Sequence, residues 1–223
     1  MGASETAVAF ISTKKEETEM QDKIVRWAAE LQSLAQAGLY YGRDVYDRER
    51  YQRMREIAAE MLAERVELPL EKVRDLFCGE TGYQTPKIDT RAAVIANGKI
   101  LLVQERNGKW ALPGGWCDYD LSPAENTVKE AREEAGAEIE IVSLIAATDR
   151  KKHNQPLFIY NILQMFYLCR PLGGAFRPNT ETTAAAYFPE NALPPLAEDR
   201  NTAAQIHMCF EASRAEHWAA LFD

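Results

Sequence analysis

The sequence lacks the features of secreted and membrane-inserted proteins. Its four cysteines lie far apart and include no C-x-x-C pair, which argues against a zinc site and a disulfide framework. The first twenty residues, MGASETAVAFISTKKEETEM, have no leading positive region and no long apolar run, so neither a signal peptide nor a membrane span is predicted. We therefore expect a cytoplasmic protein that makes no use of a membrane.

Positive charge is also scarce. The 223 residues include 26 Lys and Arg against 34 Asp and Glu, giving a formal net charge of −8, and the one basic run is Arg150-Lys151-Lys152. Nucleic-acid binding depends on basic side chains that neutralise phosphates, so a large duplex-binding surface is not expected. A local basic pocket for a small phosphate compound remains compatible with this charge.

Apolar spacing divides the chain into parts. Helical periodicity predicts helices over about 21–39 and 46–66, and a short third helix follows in LPLEKVRDLFCG. Paired apolar stripes of this kind indicate a core or a dimer contact. We favour a homodimer contact because of four tyrosines, Tyr40, Tyr41, Tyr46 and Tyr51. The predicted division is a flexible tail at 1–19, a helical N-terminal domain at 20–80, a second domain at 81–215 and a C-terminal tail at 216–223.

The second domain mixes strands and helices. TRAAVIANGKILLVQER is typical of a hairpin, because Asn97-Gly98 is a strong two-residue turn signal. Further strands are predicted in GKWALPGGW, EIEIVSLIAATDR, LFIYNILQMFYLC and TTAAAYFP, with a turn at PLGGAF, a loop at DRKKHNQP and a final helix in DRNTAAQIHMCFEAS. Since the elements do not alternate strictly as βαβ, we predict an α/β (α+β) fold with a mixed sheet.

One predicted helix, from Ser122 to about Ala135, carries an acidic stripe. Its start is marked by a Ser122 cap, Pro123 at the first position and a capping box with Glu125. Three glutamates at i, i+3 and i+4 fall on one face: Glu130, Glu133 and Glu134.

This stripe has two interpretations. A solvated acidic face is the simpler one, but like charges at these spacings repel, and we expect Lys129 and Arg132 to point away from the stripe. Oxygens that converge without a basic partner suit a hard cation such as Mg²⁺. Such an ion can polarise a phosphoryl oxygen and lower the pKa of an attacking water.

The segment GGWCDYDLSPAENTVKEAREEAGA resembles the Nudix box, G-x5-E-x7-R-E-U-x-E-E-x-G-U, where U is aliphatic. Gly115 matches the first glycine, and the three glutamates with Gly136 match the core of the pattern. The resemblance extends over about residues 86–213. It implies a Nudix α/β/α sandwich around a mixed sheet, and hydrolysis of a nucleoside diphosphate linked to another group X with Mg²⁺ or Mn²⁺.

The resemblance also implies roles for individual residues. The metal ligands would be the three glutamates and the Gly115 carbonyl, with one glutamate orienting the water. The family often takes another carboxylate from a loop before a late strand, and Glu181 has the matching place, although an exposed loop acid is the alternative. The catalytic residues predicted in this way are Glu130, Glu133, Glu134 and Glu181.

Two departures from the box affect its charges. Lys129 replaces the arginine that orients box carboxylates, which keeps the charge but loses the bidentate fork. Leu121 replaces the first glutamate, and either Asp118 or Asp120 could supply the missing carboxylate. Glu125 is a poor substitute because the cap already uses it. These departures leave a catalytically silent nucleotide-binding module as an alternative.

The flanking segments are similar to one Nudix subgroup, the ADP-ribose pyrophosphatase-like proteins that include CDP-choline pyrophosphatase. The similar segments are GETGYQTPKIDTRAAV and LPPLAEDRN. This similarity implies CDP-choline as the first candidate substrate, ADP-ribose as the second, and a dimer. It also implies 3′→5′ RNA exonuclease activity as an alternative, which the net charge does not support.

A nucleotide site also needs a stacking surface and a phosphate clamp. Tryptophans beside the glycine turn could stack on a base or pack in the core. Arginines near the first two strands could bind phosphate or be structural, and the DRKKHNQP loop could contact substrate or be solvated. The predicted substrate-binding residues are Arg91, Arg106, Trp110, Trp116, Lys152 and His153.

Overall fold

The computed structural model describes residues 23–66, 69–155 and 161–223. The chain forms two compact units, of which the first ends at Thr85 and the second spans Pro86–Asp223. The predicted tail at 1–19 lies outside the described residues. Within the described ranges, no helix combines the length and the apolar character that a membrane crossing requires.

The first unit consists of helices. Helix α1 covers residues 23–41, α2 covers Val45–Val66 and α3 covers Leu70–Phe77. Buried glutamines tie α1 to the chain at and beyond the end of α3, because the Gln32 side-chain amide donates to the Phe77 carbonyl at 3.1 Å and that of Gln36 donates to the Gly82 carbonyl at 2.9 Å. The three predicted helices are therefore present.

The second unit is built on one mixed sheet of seven strands. In chain order its elements are β1 (Lys87–Ala96), β2 (Lys99–Glu105), β3 (Trp110–Ala111), α4 (Pro123–Ala135), β4 (Ala137–Asp149), α5 (Arg150–His153), β5 (Ile162–Gly174), β6 (Thr182–Pro189), α6 (Ala203–Arg214) and β7 (Leu221–Phe222). The strand order is β3-β2-β1-β5-β4-β7, and β6 pairs with β2. Strand β1 runs parallel to β5, whereas β4 is antiparallel to β5, which confirms the predicted mixed sheet.

Helices α4 and α6 cover opposite faces of this sheet. Ala92 and Val94 of β1 belong to the same buried cluster as Ala131 of α4. Ala93, which lies between them on β1, belongs to the cluster that contains Ile206 of α6. Because successive strand residues point to opposite faces, this alternation places one helix on each side and gives the predicted α/β/α sandwich.

Helix α4 has the start and the end that its sequence predicts. The Ser122 hydroxyl accepts the Glu125 backbone N–H, and the Glu125 side chain accepts the Ser122 backbone N–H, which completes the capping box. Gly136 ends the helix at φ 60°. A Cβ at Gly136 would lie 2.3 Å from the Ala175 carbonyl oxygen, so glycine is required both by the backbone angle and by the space.

Three predicted irregular segments take part in regular structure. The predicted turn PLGGAF begins inside β5, which continues to Gly174 opposite Ala137. The predicted loop DRKKHNQP begins as α5, capped by the Asp149 side chain, and its last residue falls in 156–160, outside the described residues. The predicted tail 216–223 contains β7, which pairs with β4. In each case long-range pairing or a local cap overrides a weak local signal.

Candidate active site

A charged cavity of about 640 Å³ lies beside α4 in the second unit. Acidic groups and arginines share its wall, so it suits a ligand that carries phosphate together with a cation. Its lining includes eight residues that the sequence analysis selected: Arg91, Arg106, Gly115, Trp116, Asp118, Glu130, Glu134 and Glu181.

The glycine turn before α4 is bound to β1 by backbone hydrogen bonds. The Thr90 N–H donates to the Gly115 carbonyl at 2.9 Å, and the Ala92 N–H donates to the Pro113 carbonyl at 2.8 Å. Gly114 has a φ of 145°, and a Cβ there would lie 1.9 Å from the Thr90 carbonyl oxygen. Only glycine allows this approach, which aims the Gly114 N–H at α4.

Glu134 receives that N–H. Its carboxylate accepts the Gly114 backbone N–H at 2.8 Å. Burial raises the pKa of Glu134 from its ordinary 4.5 to about 7, against the opposing effects of the Gly114 hydrogen bond and the Arg91 charge, while the Glu130 and Glu181 charges add to the increase. The site therefore holds a carboxyl group that exchanges its proton near neutral pH.

Glu130 lies beside the same turn. Its side chain is 12% exposed, and burial raises the pKa of its carboxyl group even though Lys129 acts in the opposite direction. A Cβ added to Gly115 would lie 3.3 Å from a Glu130 carboxylate oxygen. The absence of a side chain at Gly115 thus leaves room for Glu130 at the cavity wall.

Lys129 does not point away from the acidic stripe, and that expectation is wrong. Its ammonium Nζ lies 3.1 Å from Glu133 and 3.2 Å from Glu130. It also lies 3.2 Å from the Asp118 carboxylate, which reaches it from the loop before the helix. The four-carbon side chain of lysine bends across the helix surface and reaches the glutamates. The position of Lys129 around the helix axis was therefore not enough to predict where its ammonium group lies.

The loop before β6 brings Glu181 to the cavity. Asn179 in this loop donates its side-chain amide to the Glu133 carbonyl at 2.8 Å, and it accepts the Glu181 backbone N–H at 2.8 Å. The Thr182 hydroxyl donates to the Glu134 carbonyl at 2.7 Å. These bonds join the loop to the last turn of α4. Glu133, by contrast, is 58% exposed and holds its carboxylate against Lys129.

Arg91 is buried and paired. Its guanidinium group donates to both carboxylate oxygens of Asp89, at 2.9 and 2.7 Å. The Gln164 side-chain amide also donates to Asp89 at 2.9 Å. This bidentate pair fixes a positive charge in the cavity wall, where it opposes the raised pKa of Glu134.

The two tryptophans have different environments. Trp116 is 43% exposed and lines the cavity, which suits a base-stacking surface. Trp110 packs edge-to-face on Phe188 with ring centroids 4.8 Å apart, against the cluster that contains α6. The structure therefore favours the packing alternative for Trp110.

The other predicted binding residues are similarly divided. Arg106 is exposed at the cavity. Lys152 and His153 lie on α5, and the His153 ring is 2.9 Å from the Asp223 carboxylate. Of the residues that the structure describes, neither Lys152 nor His153 is part of the cavity lining.

Sequence reasoning missed Arg200 as a site residue. Arg200 lines the cavity, and its Nε lies 3.1 Å from the Glu105 carboxylate on β2. A second cavity of about 210 Å³ shares Arg91, Trp116 and Arg200 with the first. Arg200 lies in the LPPLAEDRN segment that carries the subgroup similarity, but only the folded chain brings it next to Glu105.

The oxygen donors fit a hard divalent cation. The carboxylates of Glu130, Glu134 and Glu181 line one cavity, and the charges of Glu130 and Glu181 raise the pKa of Glu134. In the described part of the chain, no three His, Cys, Asp or Glu side chains form a ready-made metal cage. Mg²⁺ does not need one, because it usually keeps waters and substrate phosphates among its ligands. The donor set therefore fits Mg²⁺ bound together with a phosphate compound.

Known proteins resemble both parts of the chain. Residues 22–77 match the family described as UDP-X-like, N-terminal oligomerisation domain, and residues 86–208 match the NUDIX domain. The Bacillus subtilis (strain 168) protein named "Putative ADP-ribose pyrophosphatase YjhB" is 43% identical over 205 residues, which cover 92% of this chain and 99% of that protein.

Two crystal structures extend the similarity. An ADP-ribose pyrophosphatase from Streptococcus suis 89-1591 is 51% identical, covers 62% of this chain and 100% of its own, and has a TM-score of 0.59. A UDP-X diphosphatase is 30% identical, covers 90% of this chain and 98% of its own, and has a TM-score of 0.59.

The raised pKa of Glu134 predicts a stability effect in metal-free protein. Because the folded pKa lies above the ordinary value, the native state binds this proton more tightly than the unfolded state does. The contribution of Glu134 to stability is therefore complete below about pH 4.5 and is lost as the pH rises to about 7. Glu134→Gln should stabilise the protein by about 1 to 3 kcal/mol at about pH 8, and the gain should shrink as the pH falls.

Urea unfolding in EDTA at a series of pH values measures this difference. Glu133→Gln is the matched control, because that side chain is largely exposed and should give no gain. A destabilised Glu134→Gln protein at about pH 8 would contradict the prediction.

Proposed function

This chain belongs to the NUDIX family of hydrolases, and we propose that it hydrolyses the pyrophosphate bond of a nucleoside diphosphate linked to a sugar, with ADP-ribose as the first candidate. The observation that carries this proposal is the half-buried Glu134 carboxylate, which shares a cavity with Glu130, Glu181 and several arginines. The names of the Bacillus subtilis and Streptococcus suis proteins support it, since both refer to ADP-ribose pyrophosphatase.

In the proposed reaction, Arg106 and Arg200 bind phosphate oxygens and Trp116 stacks on the base. Water attacks one phosphorus of the diphosphate and gives up a proton to Glu134. The bond from that phosphorus to the bridging oxygen breaks, and the products are a nucleoside monophosphate and the phosphate of X. A carboxylate with a pKa near 7 suits this role, because it is ionised in part of the population and still basic.

The proposed metal ligands are carboxylates in the wall of the larger cavity. Bound Mg²⁺, or Mn²⁺ in its place, would neutralise charge on the diphosphate and lower the pKa of the attacking water. Glu130 and Glu181 line the cavity and would hold it together with the Gly115 carbonyl, which already accepts the Thr90 N–H. Glu134, also a predicted ligand, is kept in this proposal as the proton acceptor. Glu133 stays a predicted ligand, although its carboxylate is bonded to Lys129 in the metal-free chain.

Activity measurements test this assignment directly. Wild-type protein with Mg²⁺ should convert ADP-ribose to AMP and ribose 5-phosphate, and EDTA should abolish the conversion. Glu134→Gln should lower kcat by about 10² to 10⁴-fold, because it removes the proton acceptor. Glu211→Gln, an exposed acid on α6, should keep full activity. Near-normal turnover by Glu134→Gln, with products separated by chromatography, would refute the role of Glu134.

The second cavity supports one chemical class for X. Its wall carries three guanidinium groups, from Arg91, Arg150 and Arg200, and two carboxylates, from Asp89 and Asp199. Arg91 and Asp89 are bonded to each other, so the hydroxyl groups of a sugar would meet the Arg200 guanidinium group as a donor and the Asp199 carboxylate as an acceptor. A quaternary ammonium such as choline is recognised by several aromatic faces, whereas Trp116 is the one aromatic residue among the described lining. This lining supports a sugar as X, and we therefore propose ADP-ribose ahead of CDP-choline, the reverse of the order predicted from sequence.

A comparison of substrates with the same base separates these alternatives. CDP-glucose and CDP-choline differ only in X, and we expect the larger kcat/KM for CDP-glucose. Asp199→Asn should raise KM for CDP-glucose and ADP-ribose by about tenfold, the cost of one lost hydrogen bond to a charged group, and should leave the KM for CDP-choline unchanged. Glu198→Gln, the neighbouring acid outside the cavity lining, is the control. Preference for CDP-choline would exclude the sugar assignment.

We also propose that the protein is cytoplasmic and that it forms a homodimer through its first unit. The match of residues 22–77 to an oligomerisation domain supports the homodimer. So do three tyrosines, Tyr40, Tyr41 and Tyr46, which are 62%, 64% and 65% exposed and would bury apolar area in a dimer.

Light scattering coupled to gel filtration tests the oligomeric state. The mass should be about twice the chain mass of 25.2 kDa. Tyr46→Glu should shift the protein toward the monomer, whereas Tyr119→Glu, at an exposed tyrosine of the second unit, should not. A wild-type mass equal to one chain would refute the dimer.

A further inference from the structure

Among the described residues, Lys129 is a cation that contacts three carboxylates, two on the acidic stripe and one in the loop before α4. Glu130 and Glu133 lie on its own helix, at i+1 and i+4, while Asp118 lies in the loop before the helix. Adjacent helix residues do not face each other. The ammonium group must therefore be held to one side of α4 in order to contact Glu130 and Glu133 together.

The Asp118 carboxylate is placed to hold the ammonium group of Lys129 on this side of α4. Its carboxylate lies 3.2 Å from Lys129 Nζ. Its backbone N–H donates to the side chain of Asn126, which is fully buried and donates in turn to the Thr90 hydroxyl at 2.9 Å and the Trp116 carbonyl at 3.2 Å. Asp118 is thus anchored to both α4 and β1, so it can fix the position of a flexible lysine.

Asp120 provides the contrast within the same loop. It carries the same charge two residues later and is exposed like Asp118, but it has no ion pair within the described part of the chain. Between the two candidates for the carboxylate that Leu121 lacks, distance therefore selects Asp118.

We propose that Asp118 is a positioning residue that holds Lys129, and through Lys129 sets the places of the Glu130 and Glu133 carboxylates. The inference deepens the proposed function and rests on it where metal binding is concerned. Asp118 replaces, from the loop, the acid that the box would place at Leu121. An exposed ion pair of this kind adds little to global stability, so its effect should be seen in metal binding and turnover.

Variants of Asp118 and Lys129 test the proposal together. Asp118→Asn should weaken Mg²⁺ binding, measured by calorimetry without substrate, and should lower kcat by about 10- to 100-fold, as is typical when a partner of a metal ligand is removed. KM should change little. Asp118→Glu should restore much of both, and Asp120→Asn should match wild type.

A double-mutant cycle shows whether Asp118 acts through Lys129. In a Lys129→Met background, Asp118→Asn should cause no further loss of Mg²⁺ affinity. Additive losses would mean that Asp118 acts independently of Lys129. Equal Mg²⁺ affinities of Asp118→Asn and Asp120→Asn would mean that Asp118 has no specific positioning role. Either result overturns the proposal.

The Mg²⁺ titrations also separate the contact from the proposed function, because they use the metal without substrate. If the wild-type protein hydrolyses no nucleoside diphosphate derivative while the Mg²⁺ affinities of the cycle remain non-additive, the proposed function fails and the positioning contact stands.

Discussion

The site depends on how closely the glycine turn approaches β1. Gly114 passes so near the Thr90 carbonyl that no side chain fits, and its φ of 145° is one that glycine alone adopts without strain. This approach lets the Gly115 carbonyl meet the Thr90 N–H and lets the Gly114 N–H meet the Glu134 carboxylate. The turn therefore connects a strand of the sheet to the acidic face of α4, and a bulkier residue in it would separate the two.

Charge balance is the second constraint. Carboxylates converge near α4 in a chain that is already acidic, and their repulsion is offset at two places. Lys129 offsets it at the outer edge of the stripe, and the Arg91–Asp89 pair contributes a fixed guanidinium group at the inner wall. Glu134 lies between them with a raised pKa. An arrangement of this kind favours a cation.

Much of the fold follows from local sequence, and the rest depends on long-range contacts. The Asn97-Gly98 turn and the capped helix after Ser122 are local features, and both are present as predicted. Strand β7 and the extension of β5 to Gly174 depend on pairing with β4, and no local sequence pattern predicts that pairing. In the site, helical spacing placed the glutamates on one face. It could not show that Lys129 bends back to them, that Trp110 packs on Phe188, or that Arg200 meets Glu105, because those contacts depend on side-chain length and on distant parts of the chain.

The direction of α4 has an electrostatic consequence of its own. The aligned peptide dipoles of a helix leave partial positive charge at its first turn and partial negative charge at its last. Glu125 lies in the first turn, where that field stabilises an anion, whereas Glu133 and Glu134 lie in the last turn, where it favours cations. The backbone thus adds to the attraction that the carboxylates exert on a positive ion, and it does so without using any side chain. If the same carboxylates lay at the first turn, this field would oppose the positive ion that they attract.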